Sequence, residues 1–133
     1  MKKEMGQENI NNPHKMKYSY NFTFDDESKV DISASSSYLI SESKIRKDSS
    51  VESATIISNA KDTPITVSFI HILAIGEVLD GATYWIQANP SAVYQQITLD
   101  TLTTVTSTGT ELRLKIIITD NNTRIDSIVI LYR

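Results

Sequence analysis

Apolar and polar residues alternate along much of this 133-residue chain. The alternation is clearest at residues 18–24, where polar residues separate four aromatic side chains: Tyr18, Tyr20, Phe22 and Phe24. A repeat of two places alternate side chains on one face of a β-strand, so this segment predicts a strand with an aromatic face. The acidic run at 25–27 ends it, because neighbouring carboxylates repel one another and prefer a solvated turn.

Strand patterns recur through the rest of the chain and are separated by turn-forming residues. β-Branched and aromatic residues predict further strands at 52–58, 65–75, 82–88, 93–99 and 102–106, with a short one at 30–33. Turns are expected at Asp80-Gly81, at Asn89-Pro90-Ser91 and at Thr108-Gly109. Residues 33–50 are rich in serine and favour a surface loop, with a helical turn over 41–48 as the alternative.

The last third of the sequence predicts a β-hairpin. Apolar residues alternate through 112–118 and again through 125–132, and the turn-forming run Asp120-Asn121-Asn122 lies between them. Roughly seven to nine strands with no helical repeat are typical of an all-β, antiparallel β-sandwich. A regular barrel is less favoured, since the chain has only four glycines for tight corners.

Length and composition predict one domain preceded by a polar arm. The chain is close to the commonest domain size, and the sandwich is expected over residues 17–133. Residues 1–16 are rich in Asn, Gln and Lys and show no sustained repeat, so we expect a flexible N-terminal arm. This arm is either a segment that becomes ordered on a partner or a frayed terminus.

Charge and cysteine content exclude several classes of function. The formal net charge is -3, so no strong field attracts the chain to nucleic acid or to an anionic membrane. The absence of cysteine excludes disulfides, thiolate metal sites and a cysteine nucleophile. No apolar run follows Lys2 and Lys3, and no stretch of about 18 apolar residues occurs. We therefore expect synthesis in the cytoplasm without a signal peptide, and neither a nucleic-acid nor a membrane partner.

Residues with catalytic or metal-binding potential are scattered. His71 is a lone histidine on an apolar strand, where hydrogen-bonded packing is the commoner role, and no second histidine lies nearby to complete a metal pair. The acidic cluster at 25–31 offers oxygen ligands for Ca²⁺ but lacks the spacing of a calcium loop, which favours a solvated turn. A nucleophile elbow and a glycine-rich phosphate loop are both missing from the sequence. We predict a protein that is not an enzyme, with no catalytic residue, no metal and no cofactor.

The nearly uncharged segment 63–110 is the strongest functional signal in the sequence. It contains many β-branched and aromatic residues and only three charged ones: Glu77, Asp80 and Asp100. A domain of this size has little interior in which to bury such a segment, so part of it is expected to contact another protein. The candidate interface residues are large aromatic side chains within it: Trp85, Tyr84, Tyr94 and Phe69. Alternation places Trp85 on the face opposite Tyr84.

Two regions of the chain resemble a known family. Residues 109–131, from Gly109-Thr110 through the Thr119-Asp120-Asn121 turn to a closing alternating strand, resemble the final hairpin of immunoglobulin-like domains. Residues 48–56 and 64–67 are similar to the early strands of small immunoglobulin-like proteins in tailed-bacteriophage virions. The resemblance implies an immunoglobulin-like sandwich that serves as a head-fibre, neck or tail adaptor component. It also implies a homo-oligomer or a co-assembly with other structural proteins, located in the virion.

The sequence leaves two functions open. The first is a structural subunit of an assembly, which accounts for the polar arm and for the charge-poor segment 63–110. The second is a ligand-binding sandwich that recognises a carbohydrate or a cell-surface partner, with Trp85 and Tyr84 as a sugar-stacking platform. The shortage of polar residues beside this pair, and the frequency of aromatic residues in strand cores, favour the first.

Overall fold

Nine β-strands make up the fold in the computed structural model, which describes residues 16–133. In chain order they are β1 (Tyr18–Thr23), β2 (Tyr38–Ser41), β3 (Lys44–Lys47), β4 (Ala54–Ile57), β5 (Lys61–Val78), β6 (Ala82–Gln87), β7 (Gln95–Ile97), β8 (Thr103–Ile118) and β9 (Arg124–Tyr132). All strand pairs are antiparallel, which confirms the predicted all-β, antiparallel class. Residues 16–133 contain no helix that could cross a lipid bilayer.

The strands form two sheets that are joined through β5 and β8. The first sheet contains β1, β2, β3, β5 and β9, and β9 is the strand to which β1, β3 and β5 all pair. The second sheet contains β4, β6, β7 and the C-terminal half of β8, which pairs with both β4 and β6. The first half of β5 pairs with β8 and so connects the two sheets.

The hydrophobic core lies between the inward faces of the two sheets. The first sheet contributes the predicted aromatic face of β1, including Tyr20 and Phe22. Five isoleucines of β8 and β9 are 0% exposed: Ile116 and Ile118 of β8, and Ile125, Ile128 and Ile130 of β9. The residues between them along β8 are only half-buried, so alternation in the sequence correctly separates inward from outward side chains. The two inward faces pack together as in a β-sandwich.

β8 continues without interruption through Thr108-Gly109, so the predicted turn there is wrong. The backbone of the connection between β6 and β7 passes so close to β8 at Gly109 that a side chain would not fit there. A Cβ atom on Gly109 would lie 2.2 Å from the carbonyl oxygen of Ala88. A glycine inside a strand commonly marks such a backbone approach. The strands predicted at 102–106 and 112–118 are therefore parts of one strand.

The predicted hairpin of the last third is also wrong, because β8 and β9 do not pair with each other. β9 pairs with β1, β3 and β5, whereas β8 pairs with β4, β5 and β6. The run Asp120-Asn121-Asn122 does form a turn, but it carries the chain from one sheet to the other. Alternation is the same in a hairpin and in such a crossing, so the sequence pattern cannot distinguish them. The segment that resembles the final immunoglobulin-like hairpin has another topology here, and the structure supports the sandwich class alone.

The serine-rich segment contains a β-hairpin of β2 and β3, where the sequence predicts a loop or a helical turn. The two turn residues, Glu42 and Ser43, have φ angles of 55° and 60°. Positive φ at both positions is the geometry of a type I′ turn, which Asn-Gly usually signals. The pair Glu42-Ser43 is not typical of this turn, so the sequence does not predict it. Lys47 at the end of β3 is buried, and its Nζ donates to the backbone carbonyls of Asp48 and Val51.

Two other predicted strands have different boundaries. Residues 30–33 form no strand, and only Val30 makes an isolated bridge, with Ser58. β5 begins at Lys61, earlier than predicted, and contains Pro64. The pairing of β5 with β8 is irregular around this proline, which has no N–H to donate to a regular ladder.

The predicted N-terminal arm, residues 1–16, falls almost entirely outside the described residues. The structure includes only Met16, which is 5% exposed and therefore belongs to the folded domain. Lys17 N donates to the carbonyl oxygen of Tyr132 over 3.3 Å and attaches the start of β1 to β9. The flexible arm stays a prediction for residues 1–15.

Candidate functional site

The outward face of the second sheet brings together large side chains from three strands. Cross-strand pairing places Trp85 of β6 opposite Lys115 of β8 on one side and opposite Gln96 of β7 on the other. Directly opposed residues of antiparallel strands lie on the same face and contact each other. The three residues therefore form a row that exists only because β6 pairs with both β7 and β8.

A cation lies between two aromatic rings on this face. Lys115 Nζ is 5.1 Å from the centroid of the Trp85 ring and 4.8 Å from that of Tyr94. Both distances fall within the range of cation–π attraction, which contributes about 0.5–1 kcal/mol at exposed sites. Trp85 Nε1 donates to Thr83 Oγ1 over 3.0 Å, and this hydrogen bond fixes the orientation of the indole. We refer to Trp85, Tyr94 and Lys115 as the aromatic platform.

Lys115 differs from its neighbour Arg113 in having no carboxylate partner. Within the described part of the chain, no carboxylate lies within ion-pair distance of Lys115. Arg113 is 3.0 Å from Asp31 Oδ2 and also donates to the backbone carbonyl of Ser58. The hydrogen bond from Arg113, followed by that from Ser33, holds the pKa of Asp31 below its ordinary value. The charge of Arg113 is therefore satisfied inside the domain, whereas that of Lys115 can serve a partner.

The connection between β6 and β7 extends the platform with an exposed apolar side chain. Val93, which precedes Tyr94, is 89% exposed, more than any other large hydrophobic residue between 16 and 133. Tyr94 itself is half-buried, and burial raises the pKa of its phenol. Apolar and aromatic side chains exposed side by side are characteristic of protein contact surfaces.

Of the four predicted interface residues, the structure brings only Trp85 and Tyr94 together. The prediction for Tyr84 is wrong, because its side chain is 4% exposed and lies in the core. Burial, with a smaller contribution from the charge of Asp80, raises the pKa of Tyr84 to about 12. Phe69 lies on β5, outside the row, and its ring centroid is 4.4 Å from the guanidinium carbon of Arg133.

Lys115 is the functional candidate that the sequence analysis missed. Its position in the alternating pattern of β8 marks it only as an outward residue. Its place opposite Trp85 depends on the pairing of β6 with β8, which the sequence does not reveal. The one available signal was a lysine among the apolar residues 112–118.

His71 has a carboxylate partner that its strand pattern does not show. The Nε2 atom of His71 lies 2.8 Å from Asp100 Oδ1. The imidazole side chain is 3% exposed, whereas that of Asp100 is 76% exposed. A general base must reach the proton that it abstracts. Because the ring is buried and Asp100 occupies Nε2, this pair suits packing better than catalysis.

The acidic cluster at 25–31 makes contacts within the domain, both nearby and distant in sequence. Asp26 Oδ1 accepts a hydrogen bond from Ser28 N over 2.9 Å, and Asp31 forms the ion pair with Arg113. Between residues 16 and 133, no three His, Asp or Glu side chains are placed to hold a metal ion.

Comparisons of this chain with protein-family models, with curated proteins and with solved structures found no match. The resemblance to immunoglobulin-like virion proteins therefore depends on the sequence segments alone. The functional argument depends on the outward face of the second sheet.

Proposed function

We propose that this protein is a non-enzymatic structural subunit that self-associates through the aromatic platform. The observation that carries the proposal is Lys115, held between Trp85 and Tyr94 without a carboxylate partner in residues 16–133. Tryptophan and tyrosine are enriched among the residues that dominate binding energy at interfaces. A lysine placed among them gains a strong, charge-assisted contact when a partner supplies a carboxylate.

A second copy of the chain can supply that carboxylate. Asp25, Asp26 and Glu27 are exposed and lie in the turn after β1 of the first sheet, whereas Trp85 and Lys115 lie on strands of the second sheet. A contact between the platform of one copy and the acidic run of the next is head-to-tail. Contacts of this kind close into rings when the rotation between copies allows it. Ring formation would be compatible with a neck or tail adaptor of a virion, the role that the sequence resemblance implies.

Sedimentation velocity over a range of protein concentrations tests the proposal. We expect the wild-type chain to form oligomers that weaken as salt rises, because the contact includes a screened charge pair. Trp85→Glu should weaken self-association at least about tenfold, which corresponds to about 1.4 kcal/mol. The new carboxylate can pair with Lys115 within the same chain, so the melting temperature should not change.

Ile75→Glu provides the matched control, because Ile75 is also an exposed strand residue, at 62%, but lies on the first sheet. This variant should assemble like the wild type. A wild-type chain that stays monomeric at every concentration would contradict the proposal. So would assembly that survives Trp85→Glu, or assembly that is lost in Ile75→Glu instead.

A further inference from the structure

An open cleft of about 330 Å³ lies at one end of the second sheet. Its volume falls within the range of small-ligand sites, about 300–1,000 Å³. The turn between β5 and β6, the start of β6 and the end of β7 surround it. Its lining combines polar and apolar side chains: Asp80, Thr83, Gln96, Thr98, Leu79 and Leu99.

Four polar side chains in this cleft have hydrogen-bonding capacity to spare. Asp80, Gln96 and Thr98 make no side-chain hydrogen bond with any group of residues 16–133. Thr83 Oγ1 accepts the hydrogen bond from Trp85 Nε1, which leaves the hydroxyl proton of Thr83 to be donated elsewhere. The cleft therefore offers a carboxylate, an amide and two hydroxyl groups to a ligand.

The turn that carries Asp80 is held rigidly by the connection between β8 and β9. Thr119 N donates to the carbonyl oxygen of Gly81 over 2.8 Å, and Thr123 Oγ1 donates to that of Asp80. Gly81 has a φ angle of 84°, and a Cβ atom there would lie 2.2 Å from Asp120 Cβ. The backbone at this position therefore accepts only glycine. A site fixed in this way loses little conformational freedom when a ligand binds.

Charge and polarity select the class of ligand. Among residues 16–133, Asp80 is the only charged residue that lines the cleft, so an anionic ligand is repelled. Ca²⁺ takes six to eight oxygen ligands, usually including several carboxylates, and Zn²⁺ prefers imidazole and thiolate ligands, which the described part of this lining lacks. The hydroxyl groups of a sugar ring donate to a carboxylate and exchange hydrogen bonds with amides and hydroxyls. The C–H groups of the same ring pack against apolar side chains, which Leu79 and Leu99 provide.

We propose that this cleft binds a neutral pyranose sugar. The carboxylate of Asp80 accepts hydrogen bonds from the ring hydroxyls, and Gln96 and Thr83 make further hydrogen bonds. This binding does not depend on the proposed self-association, because none of the platform residues lines the cleft. Two features link the sites directly: the hydrogen bond from Trp85 to Thr83, and the pairing of Trp85 with Gln96 across β6 and β7.

Saturation-transfer NMR on the full chain tests this site. The neutral probes are glucose, galactose, mannose and N-acetylglucosamine, and the charged probes are glucosamine and glucuronate. At least one neutral sugar should bind, and glucuronate should not. Asp80→Asn keeps the shape of the side chain but removes its charge, so the affinity should fall at least about tenfold. Asp62→Asn is the matched control, since Asp62 is an exposed carboxylate outside the cleft, and it should bind like the wild type.

Gln96→Ala is the second variant, in case Asp80→Asn alters the turn. Gln96 is exposed on β7, so its truncation should weaken sugar binding while the fold is retained. The proposal is overturned if no neutral sugar binds, or if glucosamine binds and the neutral sugars do not. It is also overturned if both Asp80→Asn and Gln96→Ala leave the affinity unchanged, because the sugar would then bind elsewhere. Self-association is tested with Trp85→Glu, whereas sugar binding is tested with Asp80→Asn and Gln96→Ala. A failure of one proposal is therefore distinguishable from a failure of the other.

Discussion

Lys44 of the first sheet and Lys115 of the second show how differently the two sheets use a positive charge. Lys44 Nζ is 2.9 Å from Asp126 Oδ1 and 3.7 Å from Glu77 Oε1. The hydrogen bond with Asp126 is the main reason why the pKa of Lys44 is raised above its ordinary value. Lys115 lies between two aromatic rings and has no carboxylate partner in residues 16–133. One lysine is neutralised within the domain, and the other keeps its charge available.

The apolar residues of the two outward faces differ as well. The first sheet presents three half-buried aliphatic side chains, Leu73 of β5 and Val129 and Leu131 of β9, and Leu73 lies opposite Val129. The second presents Trp85 and Tyr94, which can make both apolar and polar contacts. The inward faces of the two sheets are both apolar, but their outward faces differ: one carries aliphatic side chains and the other carries aromatic ones. Both inward faces contribute to the core, and the difference between the outward faces is the basis of the proposed self-association.

The largest expected effect separates the inward from the outward side of the second sheet. Ile116→Ala should lower the free energy of unfolding by about 2–5 kcal/mol, because it leaves a cavity at a side chain that is 0% exposed. Ile117→Ala, at the next position of the same strand, should lower it by about 1 kcal/mol or less, because that side chain points outward and is only half-buried. Urea unfolding measures both. If both variants lost the same free energy of unfolding, the outward face of the second sheet would be packed as tightly as the core. It would then not be available to a partner, and the contrast between the two sheets would fail.

An intermediate effect is expected when the two lysines are exchanged for a neutral side chain of similar length. Lys115→Met should weaken self-association about tenfold, because the charge offered to a partner is lost while the packing of the stem is kept. Lys44→Met should leave self-association unchanged, since its charge is already neutralised by Asp126 and Glu77. Sedimentation velocity at one salt concentration compares the two. If Lys44→Met weakens assembly as much as Lys115→Met, then the free charge of Lys115 has no special role.

The smallest effect is a pH dependence that comes from the buried phenol of Tyr84, on the inward side of the second sheet. The pKa of Tyr84 is raised to about 12 from an ordinary value of 10.0, so the folded protein favours the neutral phenol. This contribution to stability is intact below pH 10 and is lost as the pH rises from about 10 to about 12. Tyrosinate absorbance should therefore show a late titration step whose amplitude Tyr84→Phe reduces. Tyr38, whose pKa is also raised to about 12, should keep its own late step in that variant. A titration unchanged by Tyr84→Phe would contradict the assignment.

Alternation in the sequence predicts the inward and outward sides of individual strands well. It places Tyr84 in one direction and Trp85 in the other, and the structure agrees. This succeeds because a two-residue repeat follows directly from the geometry of an extended backbone. The same repeat says nothing about which strand lies alongside, so the contact of Lys115 with Trp85 and the pair His71–Asp100 are not predictable from it.

The turns also show that sequence patterns do not reveal contacts between distant segments. Asp80-Gly81 is recognisable because glycine adopts the required positive φ without strain. Glu42 and Ser43 also have positive φ angles, but neither residue type is typical of such a turn. Gly109 looks like a turn residue in the sequence, but in the structure it allows the close approach of another backbone segment. For Gly109 the deciding contact is with Ala88, which belongs to another segment of the chain. The candidate site also depends on contacts between distant segments, because the row of Gln96, Trp85 and Lys115 forms only when three strands pair.

The pairing of β1 with β9 sets the order of events while the chain is being made. Tyr18 lies opposite Tyr132, so almost the whole domain must be synthesised before β1 finds its partner. Contacts so distant in sequence require the closure of a long loop and slow the search for the native state. Until β9 leaves the ribosome, β1 and the second half of β5 have edges without their partner, and such edges attract other chains. The yield of this protein in a cell should therefore depend on the time between the emergence of β1 and that of β9.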